Sequence, residues 1–210
     1  MIDIGYEEVH GMATAIRGMR NPLNSWDKCD SGYLNGFDFR VGEKDLELMK
    51  KLTNAGTDHR KFLRMITVSC DILAPLYWWK QFDTYKIGTV TNSCSTMHKI
   101  AEKEFVLNDF SCEYLFDGIE KGTEFLKDFM YTINALNKAR EKYLETKKKI
   151  YWWQIIQILP SSYNQKRTVL LNYEVLLNMY HSRKNHKLDE WRTFCEWVER
   201  LPYMGVFLNA

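Results

Sequence analysis

Arg183 carries the most versatile chemistry in this sequence. Its planar guanidinium holds fixed donors that can grip a phosphate or a pair of carbonyls and stabilise charge developing there. An arginine closing a helix C-terminus is also common, and on the residue alone that plainer role is favoured. The run from Thr89 to Ser95, directly after Gly88, offers hydroxyls and the Asn92 amide in a loop. Such a loop can cradle phosphate through backbone N–H groups and side-chain oxygens. Ordinary caps and turns use the same residue types, and the two roles stand level. Lys86 supplies a point charge nearby, and Tyr85 a ring with one hydroxyl. Gln81, Gln165 and Arg167 are polar contacts for a pocket or, more commonly, solvated surface. His59 stands alone, and a lone histidine is more often structural than functional. The pairs Trp78-Trp79 and Trp152-Trp153 can stack a flat ring, although paired tryptophans more often pack a core.

The totals bound what these residues can serve. The chain has 210 residues, 45% hydrophobic and 14% aromatic, which is too apolar for a disordered protein. A net charge of +2 gives no strong nucleic-acid signal. No apolar run approaches the roughly 20 residues of a membrane span, and Met1 to Gly5 lacks the charged start of a signal peptide. A cytoplasmic location is the expectation. The five cysteines are odd in number and widely scattered, so reduced thiols are expected rather than a disulfide framework. Neither cysteines nor histidines show metal-ligand spacing, and no metal is expected.

The elements that must position these groups follow from periodicity. Gly, Asn, Asp and Ser cluster at 21–26 and 30–42 as they do in loops, with Gly32 to Val41 reading as a turn into a short strand. Leu46, Met49 and Leu52 place a helix over Glu43 to Asn54. Arg64 to Leu73 reads as a strand, with Ile66, Val68, Cys70 and Ile72 on one face, ended by Pro75. Leu76 to Phe82 begins a helix. The long helix is expected from about Ile119 to Thr146, with Leu126, Phe129, Met130, Ile133, Leu136 and Leu144 as its stripe and the Lys147–Lys149 run closing it. Tyr151 to Leu159 reads as a short buried helix, Asn172 to Arg183 as another, and Asp189 to Leu201 as the last. The class is α+β: one domain over 1–210, with long helices packed around a small sheet.

Three stretches, taken together, resemble the flavin-dependent thymidylate synthases, which couple a reduced flavin to methylation of dUMP with carbon from methylenetetrahydrofolate. The first is Leu159-Pro160, then Asn172 twelve residues after the proline, then Arg183 eleven further on. A segment ending in Glu190 follows, about one residue shorter than usual and with Asp189 where the family prefers Gln. The second is the strand into Ala74-Pro75, with His59 sixteen residues before the proline and Gln81 six after it. The third is the family signature, an Arg-His-Arg triplet followed by Ser, Asn and Ser. Asn92 and Ser95 fit it with one inserted residue, but the triplet has become Thr84-Tyr85-Lys86. The resemblance covers roughly 43–195.

The resemblance implies the family fold and a homo-oligomer, a tetramer by analogy. It makes Arg183 the residue that reaches the pyrimidine and activates it. A nucleotide, pyrimidine or other, would meet Arg183, Asn172, Gln81, Lys86, Thr89, Asn92 and Ser95. FAD would meet His59, Lys61, Asn92 and Ser95. Arg64 stands where the family has Glu, and Ile156 where it has Arg. With Thr84 and Lys86, these changes weaken the cationic grip on the cofactor's pyrophosphate, although Arg60, Lys61 and Arg64 share one segment that can compensate. The expected activity is FAD-dependent methylation of dUMP to dTMP. The alternative is a non-catalytic nucleotide binder, a scavenger or regulatory protein, that kept the pocket and lost the flavin chemistry.

Overall fold

A computed structural model describes residues 1–116 and 123–209. In chain order it contains β1 (Asp3–His10), α1 (Met12–Arg20), β2 (Gly32–Leu34), β3 (Asp38–Arg40), α2 (Glu43–Asn54), β4 (Thr67–Pro75), α3 (Leu76–Phe82) and β5 (Thr89–Ser93). There follow α4 (Thr96–Lys99), α5 (Glu124–Thr146), α6 (Lys149–Ile158), β6 (Asn164–Asn172), α7 (Tyr173–Arg183), α8 (Asp189–Arg200) and α9 (Met204–Leu208). The long strands form one sheet in the order β1-β4-β6-β5, and β2 pairs antiparallel with β3. The α+β expectation holds. The chain divides into two compact units: Met1–Asp3, Ile72–Thr84 and Asn92–Arg167 in the first, and Ile4–Asp71, Tyr85–Thr91 and Thr168–Ala210 in the second.

The first unit is built on α5 and α6. Ile133, Leu136 and Ala139 recur at helical spacing on α5 and bury against Ile155 of α6, with Ile100, Phe105 and Phe110 completing the cluster. Met130 and Leu144, expected on that stripe, are exposed instead. So is much of α6, where Trp153 keeps 45% of its surface and Ile155 alone is buried. Lys147, in the left-handed conformation, ends α5, and Lys149 already begins α6. The expected start of the long helix, 119–122, lies outside the described residues. In α3, Trp78, Trp79 and Phe82 are buried, and the Trp79 indole donates to the Gln165 carbonyl at 2.9 Å.

In the second unit α1, α2 and α7 pack against the 3-10 turn Arg60–Met65, and α8 packs on α7 and α9. Ile66, Val68 and Cys70 are buried at period two, as expected, although Arg64 and its neighbours form a 3-10 turn and the strand proper begins at Thr67. Trp191, Phe194, Trp197 and Val198 bury the inner face of α8. Tyr180 of α7 donates to Glu199 of α8 at 2.5 Å, which pushes its hydroxyl pKa up to about 12. Asp45 of α2 is fully buried and accepts from Arg20 Nε at 2.6 Å. It also accepts from the Ser31 hydroxyl, the Cys29 thiol and the Asp30 and Ser31 amides. Burial alone would push this carboxyl up; the hydrogen bonds from Ser31, Arg20, Cys29 and Asp30 together hold it below its ordinary value. Asp30 in turn accepts from the Lys44 and Asp45 amides, so the Gly- and Asp-rich loop docks onto the first turn of α2. Gly32 to Val41, expected as a turn into one strand, is a complete hairpin. Asn35 and Gly36 at its tip both have positive φ, as an Asn-Gly turn requires.

Candidate functional site

Asn172 starts the site at the N-cap of α7, where its side-chain oxygen accepts from the Val175 amide at 2.9 Å. Its own backbone N–H donates to the Gly88 carbonyl at 3.2 Å. Gly88 has φ 79°, and a Cβ there would stand 2.4 Å from the Asn172 amide nitrogen, so only glycine fits. One turn of chain before it, the Tyr85 carbonyl accepts from the Thr89 hydroxyl. Tyr85 then reaches the other end of the helix. Its hydroxyl accepts from Arg183 Nε at 2.9 Å, and the guanidinium stands 5.6 Å from the Tyr85 ring and 5.0 Å from the Trp191 ring. Two aromatic faces and one hydrogen bond therefore fix the plane of Arg183. His186 packs at 6.3 Å from Trp191, and burial together with the Arg183 charge lowers its pKa, favouring neutral imidazole.

Lys86 is exposed within this segment, while Thr89 lies in strand β5 rather than in a loop. Asn92, at the far end of β5, belongs to the first unit together with Gln81 and Ser95. Ser95 caps α4, accepting from the His98 amide at 3.1 Å, and bonds the His98 ring at 2.8 Å. The Gln81 carbonyl accepts from the Thr84 hydroxyl at 2.7 Å. Arg167, a surface candidate by sequence, is mostly buried: it pairs with Asp83 at 2.6 Å and lies 4.2 Å over the Trp79 ring. Gln165 is buried too, its amide donating to the Cys94 carbonyl at 2.8 Å.

Charges around α7 are committed. Glu174 in the first turn accepts from both Arg60 and Arg64, and Arg60 also donates to Asn178 at 3.1 Å. The arginines that the sequence offers as compensation for lost cofactor contacts thus share one carboxylate, which itself sits favourably at a helix N-terminus. Ile156 lies against the apolar cluster of the first unit. His59 and Lys61 line a cavity of about 960 Å³ in the second unit, which Lys28 and Lys44 also line. Those two lysines were not legible as site residues, because isolated surface lysines look alike until the fold gathers them.

Compared with solved structures, the whole chain superposes on a flavin-dependent thymidylate synthase, ThyX, from Helicobacter pylori complexed with FAD and dUMP. The TM-score is 0.72 at 18% identity, covering 99% of this chain and 98% of that one. The chain has the fold of the flavin-dependent thymidylate synthases. A second structure of the same enzyme with FAD and dUMP gives a TM-score of 0.70 at 18% identity, covering 99% of this chain and 97% of that one. The UMP/dUMP methylase PolB from Streptomyces cacaoi, bound with 5-Br dUMP, gives 0.63 at 13% identity, covering 100% of this chain and 94% of that one. No protein-family model matches the sequence, and no curated protein sequence matches it either. Within this ThyX-like fold, Arg183 closes α7 and Asn172 caps its start, so two of the residues carried over by the resemblance stand at the ends of one helix. Among the described residues, no helix is long and apolar enough to cross a membrane.

Proposed function

We propose that this chain is a nucleotide-binding protein whose pocket takes a pyrimidine nucleotide such as dUMP, with Arg183 as the principal contact. The observation that carries this reading is the fixed plane of Arg183, held by the Tyr85 hydroxyl and the Trp191 face. A fork immobilised in advance loses little entropy on gripping a phosphate or a pyrimidine carbonyl. Gly88 and Lys86 lie along the same segment and add backbone and ammonium donors, while the Thr89 hydroxyl already donates to the Tyr85 carbonyl.

At three of the changed positions that the resemblance ties to the cofactor's pyrophosphate, the side chains fit FAD poorly. Arg64 is bound to Glu174, the Thr84 hydroxyl to the Gln81 carbonyl, and Ile156 faces an apolar cluster. Each charge-assisted hydrogen bond is worth about 1.5–3 kcal/mol, so losing two or three costs several powers of ten in affinity. The favoured reading is therefore the non-catalytic binder. The second reading, FAD-dependent methylation of dUMP, draws on His59 and Lys61 standing together at a cationic cavity. Calorimetric titration with dUMP, dTMP and a cyclic nucleotide tests binding: saturable heat from a pyrimidine nucleotide is expected, and none from any of the three contradicts it. The absorption spectrum separates the readings. Colourless purified protein is expected, and a stoichiometric flavin band would favour the enzyme.

A further inference from the structure

The cavity at His59 and Lys61 is built differently from the Arg183 cluster and shares no residue with it. Its volume, about 960 Å³, stands at the upper end of the roughly 300–1,000 Å³ usual for small-molecule sites. The apolar part of its wall is mainly aliphatic or thioether, from Met19, Pro22, Leu23, Leu48, Leu52 and Met65, with Phe62 and His59 as its flat rings. The aliphatic and thioether side chains repack around a flexible chain, and the lining holds no Asn or Gln amide to read the edge of a base. Three of the lining side chains are lysines, from three separate elements. Lys28 sits in the turn Trp26–Lys28, Lys44 in the first turn of α2 and Lys61 in the turn Arg60–Met65. Asp58 is the single carboxylate lining the cavity, and Arg20, which also lines it, is neutralised by Asp45.

We propose that this cavity binds an organic anion with an aliphatic body, an acyl or alkyl chain bearing a carboxylate or phosphate head. The chain lies along Met19, Leu48, Leu52, Phe62 and Met65, and the head meets Lys28, Lys44 and Lys61. The inference does not rest on nucleotide binding at Arg183. The test is displacement of 8-anilinonaphthalene-1-sulfonate fluorescence by decanoate, by decyl phosphate and by neutral decanol. Either anion should displace the probe at least tenfold more effectively than decanol, and the stronger of the two identifies the head group. Lys28→Gln with Lys44→Gln should weaken that anion about ten- to a hundredfold while leaving decanol unchanged. Leu48→Trp, which fills the cavity without removing charge, should abolish anion displacement. Melting curves of each variant confirm that the fold survives. Equal displacement by decanol, indifference to the lysine changes, or stronger displacement by FAD than by either acyl anion would overturn the proposal. No pyrimidine nucleotide enters these titrations, so their outcome is separate from that of dUMP binding.

Discussion

Tyr85 occupies the middle of the altered signature triplet, and its hydroxyl gives that substitution a use, since it holds Arg183 Nε at 2.9 Å. Tyr85→Phe keeps the ring against Arg183 and removes only the hydrogen bond. It should weaken pyrimidine-nucleotide binding about three- to tenfold, within the ~0.5–1.5 kcal/mol of a typical hydrogen bond, as measured by calorimetry. An affinity equal to wild type would mean that the hydroxyl does not orient the guanidinium. At this scale the sequence indicated which residues merit attention, but not their company. Spacing pointed to Asn172 and Arg183, whereas the Tyr85 and Trp191 faces around Arg183 arise from contacts 98 and 8 residues away in sequence, 183 − 85 and 191 − 183. From the sequence Arg167 looks like solvated surface, because nothing local announces Asp83 and the Trp79 ring.

Among the elements, α2 is held most firmly by charge. Asp45→Asn leaves Arg20 buried without its counter-ion and should destabilise the protein by about 3–5 kcal/mol in urea unfolding. The pH dependence follows from the same group. Its folded pKa lies below the ordinary value, so its stabilisation is complete above the unfolded pKa, near 4, and is lost as pH falls through the folded one. The urea midpoint of wild type should therefore drop on acidification from about pH 5 to about pH 3, and that of Asp45→Asn should drop less. A parallel drop in both would assign acid sensitivity elsewhere. Helices and the buried strand were legible: α2 and α3 appear at their expected bounds, and β4 within three residues. Strands β1 and β5 were not, because both are sheet edges whose residues are largely exposed and leave no apolar alternation. In β6 the polar start Asn-Gln-Lys-Arg masks Val169 and Leu171. Helix α1 did carry a signal, apolar Met12, Ala15, Ile16 and Met19 at helical spacing, which the loop-rich residues after it obscured.

At the scale of the whole molecule, the ThyX-like fold is legible in three short motifs whose order and spacing agree, although no one of them suffices. The homo-oligomer is part of our proposal. It is supported in the first unit by apolar side chains left in solvent on α5 and α6, among them Tyr131, Ile150, Trp153 and Ile158. Light scattering at micromolar concentration should give a multiple of the 25.0 kDa chain mass, and a strict monomer would contradict it. The central claim, that Arg183 grips a pyrimidine nucleotide, is most directly tested by calorimetric titration of dUMP into wild type, Arg183→Ala and Arg183→Lys, beside a melting curve for each. Arg183→Ala should lose about 1.5–3 kcal/mol, ten- to more than a hundredfold in affinity, with little change in melting temperature. Arg183→Lys should recover only part of that loss, because an ammonium keeps the charge without the planar fork. Equal dUMP affinity in wild type and Arg183→Ala would contradict the claim.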